Sequence, residues 1–402
     1  MINNYRIVNK LILFLINPFI SAISSLKNIR DGISHRILYL WFLIFGIGFS
    51  ALDENADSFR YVENFMVEHR YSWYQYIDVV KEWLTFESNI KDVYTVTVNV
   101  LVGQFSDNYH WTYFIYAAIF GFFYIKSLCI FIKNEKVSKN YVFYALLFMF
   151  CFSNPIFNIN GVRFWTAAWI GVYVALNLFV KKDYKKLPLL ILMPLIHGSS
   201  VIWVAIMGMG MLLRHFQKIT VVLYIASAFV SAVSYLDLLN DYSGLLPQFM
   251  QNQIWSYTES EMALERIAGH SEYGAAYADF LIALPKYFQI ALAILLIFNR
   301  KKINKNFHIG QLMTITLAMA AITNFLSGIP SMGRFQALVI PFLIIVWSYN
   351  YDILKKYDKY FYVVPIVYAY SFLYWCRHMS GVTELYLYVL PAPLTVIKYL
   401  FL

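Results

Sequence analysis

Two arginines and a histidine stand where apolar runs of this sequence begin or break. Arg163 and Arg334 each open an apolar run after a turn that contains Pro and Gly, and His197 interrupts the run 187–213. A charged side chain at a lipid boundary is costly unless it faces a partner or a water-filled cavity, so such residues are typical of functional sites. Because a planar guanidinium binds phosphate oxygens bidentately, these arginines predict a site for an anionic group such as a lipid-linked diphosphate.

A second group of polar residues occurs earlier in the chain. Asp57, Arg60 and Tyr61 are three and four residues apart, so a short helix would place them on one face. A carboxylate or an imidazole within reach of a hydroxyl group can accept its proton, so Asp57 and His197 are candidate bases. Simpler interpretations stay open: Asp57 pairs only with Arg60, Arg163 snorkels to the interface, and His197 is a satisfied core residue.

Motifs for nucleotide, metal or serine chemistry are missing from the sequence. It contains no Walker motif, no dinucleotide fingerprint, no Gly-x-Ser-x-Gly elbow and no His or Cys pair at metal-ligand spacing. The three cysteines, Cys129, Cys151 and Cys376, lie in apolar stretches without a disulfide or metal pattern. We therefore expect no metal, no cofactor and no energy from nucleotide hydrolysis.

The composition predicts a membrane protein. Hydrophobic residues make up 60% of the chain, aromatic residues 19% and charged residues only 14%, which excludes an ordinary soluble domain. The formal net charge is +9, but the basic residues occur in short clusters between hydrophobic runs. That arrangement is typical of membrane orientation, so we expect no binding to nucleic acid.

The apolar runs predict an all-α, polytopic integral membrane protein. They would make about twelve transmembrane helices, counting broken ones. Several runs, notably 141–153 and the two halves of 187–213, are shorter than the roughly 20 residues that a straight span needs, so short or broken helices are expected.

The distribution of Lys and Arg predicts the orientation. Alternate loops and the N-terminal segment carry 21 of the 32 basic residues, and by the positive-inside rule these lie in the cytoplasm with both termini. The two longest loops of the opposite side are acidic: residues 53–91 hold eight carboxylates against four basic residues, and residues 237–273 hold six against one. Arg163, His197 and Arg334 fall on that outer side, as do Arg377 and His378.

The sequence predicts one integral membrane domain. Residues 1–36 mix Leu, Ile and Phe with Lys and Arg, which favours an amphipathic segment that is cytoplasmic or interfacial. Residues 37–402 form a single transmembrane domain with periplasmic loops near 53–108 and 237–275, and no internal repeat is visible.

Four short strings resemble the EpsG family of bacterial polysaccharide polymerases, which act as Wzy-type O-antigen or capsule polymerases. They occur in the same order and on the same predicted side of the membrane. The strings are Asp57-Ser58-Phe59-Arg60-Tyr61 with Phe65, the stretch from Asn154-Pro155 through Asn160-Gly161-Val162-Arg163 to Ala167, His197-Gly198-Ser199-Ser200, and Gly333-Arg334-Phe335. The resemblance covers about residues 35 to 375.

The resemblance implies a glycosyltransferase of the bacterial inner membrane that serves lipopolysaccharide or capsule synthesis. It would transfer a growing glycan from undecaprenyl diphosphate to a second lipid-linked repeat unit at the periplasmic face. Arg163 and Arg334, with Arg60 and Arg377 behind them, would bind the diphosphate, and Asp57 or His197 would accept the proton. Tyr61, Asn160 and His378 are the expected glycan contacts. Membrane lipids and a chain-length regulator protein are expected partners besides the undecaprenyl-linked substrates.

Two other functions fit part of the pattern. A flippase for lipid-linked oligosaccharides would bind the same headgroup without chemistry, but such transporters usually show an internal repeat and open to both sides. A membrane acyltransferase would need a catalytic His or Ser reached from the cytoplasm, and the short basic inner loops offer none.

Overall fold

The structure is a computed structural model that describes residues 2–54, 56–85, 92–134, 136–212, 216–229, 276–326, 332–379 and 381–401, with residues 244, 251 and 255 between them. The predicted loop 237–275 therefore lies almost wholly outside the described residues. Within these ranges every regular element is helical, and a single antiparallel bridge joins Phe49 to Thr383. The all-α class is confirmed.

The described α-helices follow one another along the chain with few long connections. In chain order they are α1 (Ile2–Ile16), α2 (Pro18–Lys27), α3 (Gly32–Ile47), α4 (Asp57–Glu68), α5 (Trp73–Thr85), α6 (Tyr94–Gly103), α7 (His110–Ile132), α8 (Tyr141–Ser153), α9 (Val162–Leu176), α10 (Leu192–Ile196), α11 (Val201–Leu212), α12 (Gln217–Ala226), α13 (Ala276–Phe298), α14 (Arg300–Ile303), α15 (Phe307–Leu326), α16 (Gln336–Tyr349), α17 (Tyr351–Leu354), α18 (Val364–Met379), α19 (Tyr386–Val389) and α20 (Ala392–Leu400). Short 3-10 segments at Ile156–Gly161, Tyr184–Ile191, Gly198–Ser200, Met332–Phe335 and Lys355–Val363 and a π turn at Asn177–Lys181 connect or extend some of them.

α8 and α9 form an antiparallel hairpin. Their combined length of 41 residues, Tyr141–Lys181, is apolar throughout and would be far longer than one crossing if it were straight. The 3-10 segment between them turns the chain back, because the Asn154 side chain donates to the Trp165 carbonyl at 3.0 Å and the rings of Phe150 and Trp169 lie 5.6 Å apart. Two short helices therefore replace one long helix here, as the run lengths predicted.

Ring contacts show how the other central helices run relative to this hairpin. Phe42 of α3 contacts Tyr124 of α7, and a Cβ at Gly46 would overlap Tyr113 and Ala117, so α3 and α7 are antiparallel and closely packed. α7 and α9 are parallel, because Phe120 contacts Trp169 and Phe123 contacts Tyr173. α16 begins beside the start of α9, where Phe335 contacts Phe164, and it ends where Lys136 donates to the Tyr349 carbonyl at 2.9 Å.

These directions define two ends of the bundle. At the first, which we call the Arg163 end, α3 and α8 finish and α7, α9 and α16 begin. At the second, the Lys133 end, α7 finishes and α8 begins, near the basic cluster of residues 133–139. The basic cluster of residues 133–139 and the acidic helix α4, whose Tyr61 contacts Arg163, therefore lie at opposite ends of the bundle.

The number of membrane crossings is only partly supported. Four helical stretches among the described residues are long and apolar enough to span, one of them the stretch Tyr141–Lys181 that forms the α8–α9 hairpin. A fifth is added if α16 and the helices after it, bent by 84°, make one span. The predicted count of about twelve is not confirmed. One physical reason is that Pro188, Pro194 and Gly198 divide the run 187–213 into 3-10 turns and short helices.

The N-terminal segment forms two helices, since Asn17 caps α2 by accepting from the Ile20 amide at 2.8 Å and Pro18 starts the new helix. Apolar side chains point outward along both helices: Leu15, Ile16 and Ile20 are each at least half exposed. Lys10, in contrast, is turned inward to Ser34, to which it donates at 2.7 Å. Such an outward apolar face suits the predicted interfacial position.

Candidate functional site

Arg163 occupies the first turn of α9 at the Arg163 end of the bundle. Its Nη1 donates to Oδ2 of Asp92 at 2.9 Å, and its Nε donates to the hydroxyl oxygen of Tyr61 at 3.2 Å. The Asp92 side chain is 1% exposed and that of Arg163 is 29% exposed. The pair therefore fixes the guanidinium from the protein side and leaves part of it facing outward, which is the geometry of a preorganised anion contact.

Three chain segments converge on this ion pair. Tyr61 belongs to α4 and Asp92 immediately precedes α6, while the amide of Val93 donates to the carbonyl of Leu195 in α10 at 3.3 Å. Tyr61 is 7% exposed, and burial raises the pKa of its hydroxyl group. It therefore stays neutral and accepts the hydrogen bond from Arg163 without adding a negative charge.

A second carboxylate, Glu68, lies close enough to the pair for its charge to interact with those of Asp92 and Arg163. Asn99 of α6 donates to Oε2 of Glu68 at 2.7 Å. Burial and, to a smaller extent, the charge of Asp92 raise the pKa of Glu68. Glu68 is thus a carboxylate that binds a proton more readily than an exposed one.

Asp57 and Arg60 form the pair that their spacing suggested. The two side chains are 3.6 Å apart and are 48% and 66% exposed. Asp57 also lies against the backbone at Gly161, and the Ser58 amide donates to the Asn160 side chain at 3.2 Å. The start of α4 is therefore held against the turn that leads into Arg163.

Phe164 brings His197 and Arg334 together. The guanidinium carbon of Arg334 lies 5.3 Å from the centre of the Phe164 ring, and the His197 ring meets the same ring edge to face at 5.5 Å. His197 Nδ1 is hydrogen-bonded to the Ser199 hydroxyl at 2.8 Å. Because Arg163 and Phe164 are adjacent in α9, both predicted arginines lie at the same end of the bundle.

Arg377 and His378 are more peripheral. Arg377 is exposed near the end of α18, which reaches the Arg163 end because Trp375 packs against Phe157 at 4.8 Å. The His378 side chain lies outside the described part of the structure. Their predicted substrate contacts stay predictions.

The sequence interpretation missed Asp92, Glu68 and Asn99. Asp92 directly precedes an apolar stretch, and Thr97 and Asn99 are the two polar residues within 96–102. Asp92, like Arg163, is a charged residue at the start of an apolar run, so the sequence alone could have identified it as a candidate. Its pairing with Arg163 could not be predicted, because 71 positions separate the two residues in the chain.

The arrangement combines cations with groups that can accept a proton. Within the described ranges, no group of three or more His, Cys, Asp or Glu residues has metal-binding geometry. Arg163 and Arg334 can stabilise phosphate oxygens, while Glu68, Asp57 and His197 are groups that can accept a proton. The site is therefore suited to displacing an anionic leaving group by a hydroxyl nucleophile.

Comparison with known proteins gives one result. No curated protein and no solved structure matches the chain significantly. The model of the EpsG family matches residues 33–390 of the 402 residues. This region contains Tyr61, Asp92, Arg163, His197 and Arg334, and the chain belongs to the EpsG family.

Proposed function

We propose that this protein polymerises a bacterial surface polysaccharide, of the O-antigen or capsule type, at the periplasmic face of the inner membrane. Membership in the EpsG family suggests a polysaccharide-polymerase-like membrane protein. The donor is a glycan on undecaprenyl diphosphate, and the acceptor is a sugar hydroxyl group of a second lipid-linked repeat unit. Short and broken helices complete a multi-pass domain of about twelve crossings whose N-terminal segment faces the cytoplasm. The predicted cytoplasmic C-terminus does not fit this scheme, because the Asn108 side chain, just before α7, donates to the Tyr399 carbonyl at 2.8 Å and so holds the end of α20 at the Arg163 end.

The observation that carries this proposal is the placement of Arg163 and Arg334 at the same end of the bundle, where Arg163 is held by Asp92 and Arg334 lies over the ring of Phe164, the residue after Arg163. Negative charge develops on the diphosphate as the glycosidic bond breaks, and fixed guanidinium groups in a poorly hydrated site stabilise that charge. Asp92 and Tyr61 hold Arg163, and the Phe164 ring orients Arg334. One well-aimed donor of this kind lowers the barrier by about 3 kcal/mol.

The charge pattern supports an outward-facing site. The Lys133 end carries basic clusters, and the Arg163 end adjoins the acidic stretch 53–91. By the positive-inside rule the first faces the cytoplasm and the second faces the periplasm, where lipid-linked repeat units accumulate after translocation.

A deletion strain complemented with variants tests this proposal. Arg163→Lys keeps the charge but loses the planar fork that contacts Asp92 and Tyr61, so we expect single repeat units on the lipid core and no long chains on a glycan gel. Arg70→Lys, the same change at an exposed arginine, is expected to keep the full ladder.

Two results would contradict the proposal. A full ladder from the Arg163→Lys variant would show that the Arg163 guanidinium is not required for polymerisation. Loss of even the single-unit form in the deletion strain would indicate a flippase, because no repeat unit would then reach the outer leaflet.

A further inference from the structure

We propose that Glu68 is the residue that takes the proton from the attacking sugar hydroxyl group, an assignment that rests on the proposed polymerase function. Glu68 and Tyr61 are seven positions apart in α4, so they share one face of the helix. Tyr61 contacts Arg163, which places the Glu68 carboxylate on the same face about two turns, roughly 10 Å, further along. The proposed base and the tyrosine that holds the diphosphate-binding cation are thus carried on one face of α4.

The Glu68 carboxylate is oriented by α6. Asn99, which is fully buried, donates to Oε2 at 2.7 Å. Within the described part of the chain, Oε1 accepts no hydrogen bond. One oxygen therefore anchors the group and the other is available to a hydroxyl proton, which is the division that a positioned general base requires.

The environment of Glu68 also suits the task. Burial and the nearby negative charge of Asp92 raise its pKa, which brings it closer to the pH at which the protein works. The hydrogen bond from Asn99 and, to a smaller extent, the charge of Arg163 lower the pKa and offset part of this rise. A carboxylate in such surroundings is a stronger base than one solvated by water.

Asp57 and His197 are less suited to this step. Asp57 is half exposed and already paired with the Arg60 guanidinium at 3.6 Å, which competes with a hydroxyl group for its oxygens. His197 uses Nδ1 for the Ser199 hydroxyl and packs its ring against Phe164 beside Arg334. Their positions favour roles next to the diphosphate.

The reaction step balances without a further reactant. The acceptor oxygen forms the new bond to the anomeric carbon of the donor glycan, and its proton passes to Glu68. The bond between that carbon and the diphosphate oxygen breaks, and the electron pair leaves with undecaprenyl diphosphate. Glu68 then returns the proton to solvent, with no change of oxidation state.

The test uses purified full-length protein in proteoliposomes with lipid-linked repeat units as substrate. We expect Glu68→Gln to lower kcat about 10²- to 10⁴-fold while the KM for the donor changes little, since Gln keeps the hydrogen bond from Asn99 but cannot accept a proton. Glu68→Asp should restore part of the rate. Glu63→Gln, an exposed change in the same helix, is the matched control and should behave as wild type.

The pH profile separates a catalytic carboxylate from a structural one. The wild-type rate should rise with pH through a midpoint above the usual range of a glutamate, because only the ionised base is active. The residual activity of Glu68→Gln should lack that acid limb. A Glu68→Gln variant with a wild-type rate, or with an unchanged acid limb, would overturn the assignment.

The two proposals fail in different ways. If wild-type protein forms no polymer under these conditions while binding the lipid-linked unit, the polymerase function is wrong. If wild type polymerises and Asp57→Asn or His197→Gln removes the acid limb instead, the polymerase function stands and only the assignment to Glu68 falls.

Discussion

Asp92 and Arg163 form an ion pair whose two members differ in exposure: the carboxylate is 1% exposed and the guanidinium 29%. A buried carboxylate is stable only while its partner stays in place, and a guanidinium fixed from behind needs little reorganisation to receive an anion. The pair therefore links the stability of the Arg163 end to its ability to bind diphosphate. α4 belongs to the same unit through Tyr61.

The first prediction concerns this pair. Asp92→Ala leaves the half-buried guanidinium of Arg163 without its carboxylate, so we expect a loss of about 3 kcal/mol in the free energy of unfolding, the usual cost of breaking a buried pair. Asp78→Ala breaks the exposed pair with Lys81 and should cost about 1 kcal/mol or less. Denaturant unfolding in detergent measures both losses. Equal losses for the two variants would show that the Asp92–Arg163 pair contributes no more stability than an exposed pair.

The second prediction concerns the ring beneath Arg334. Phe164→Leu keeps an apolar side chain but removes the aromatic face, so the guanidinium loses about 1 to 2 kcal/mol of orienting energy. We expect the affinity for lipid-linked diphosphate to fall about tenfold. Isothermal titration measures this, with Phe148→Leu as control because that ring contacts Phe152, Tyr368 and Phe372. The hypothesis is wrong if both variants bind equally well.

The local features of the site could be predicted from sequence. Pro155 and Gly161 break the apolar run before Arg163, and the chain does turn back there to form the hairpin of α8 and α9. The i, i+3 spacing of Asp57 and Arg60 likewise produced the expected pair. These inferences succeeded because each depends on neighbours a few residues away.

The tertiary partners could not be predicted in this way. The alternating stretch Thr95-Val96-Thr97-Val98 has the period of a strand, yet it folds as α6, since packing against α4 and α7 overrides the β preference of its residues. Without α6 in place, neither the pairing of Asp92 with Arg163 nor that of Asn99 with Glu68 could be assigned. The crossing count is not confirmed for a related reason: Pro and Gly divide apolar runs into pieces whose depth depends on neighbouring helices.

The third prediction concerns the close approach that places Glu68 beside Asn99. A Cβ at Gly103 would overlap the carbonyl oxygen of His69, the residue that follows α4. Gly103→Ala must therefore push the end of α4 away from α6, and we expect a loss of about 1 to 3 kcal/mol in the free energy of unfolding together with reduced polymer synthesis.

Gly208→Ala is the matched control for this change. Gly208 lies in α11, and nothing lies within 4 Å of a Cβ built there. Alanine should be neutral or stabilise the helix by about 0.5 to 1 kcal/mol. Thermal unfolding of both variants checks the pair, and a Gly103→Ala protein as stable and active as Gly208→Ala would argue against the close packing of α4 on α6.

The fourth prediction uses pH. Glu384 accepts hydrogen bonds from Lys398 and, at 2.8 Å, from the Tyr399 hydroxyl group, so its pKa lies below the usual value, mainly because of Lys398. Since the folded pKa is below the unfolded one, this carboxylate contributes stability above about pH 4.3 and loses it as the pH falls through the folded pKa. Wild type should therefore have a higher Tm than Glu384→Gln at pH 7, and the difference should shrink towards pH 3. Glu63→Gln, at an exposed position, should show no such convergence. A Tm difference that is constant or grows on acidification would mean that the Glu384 carboxylate does not hold α20 through its ionised form.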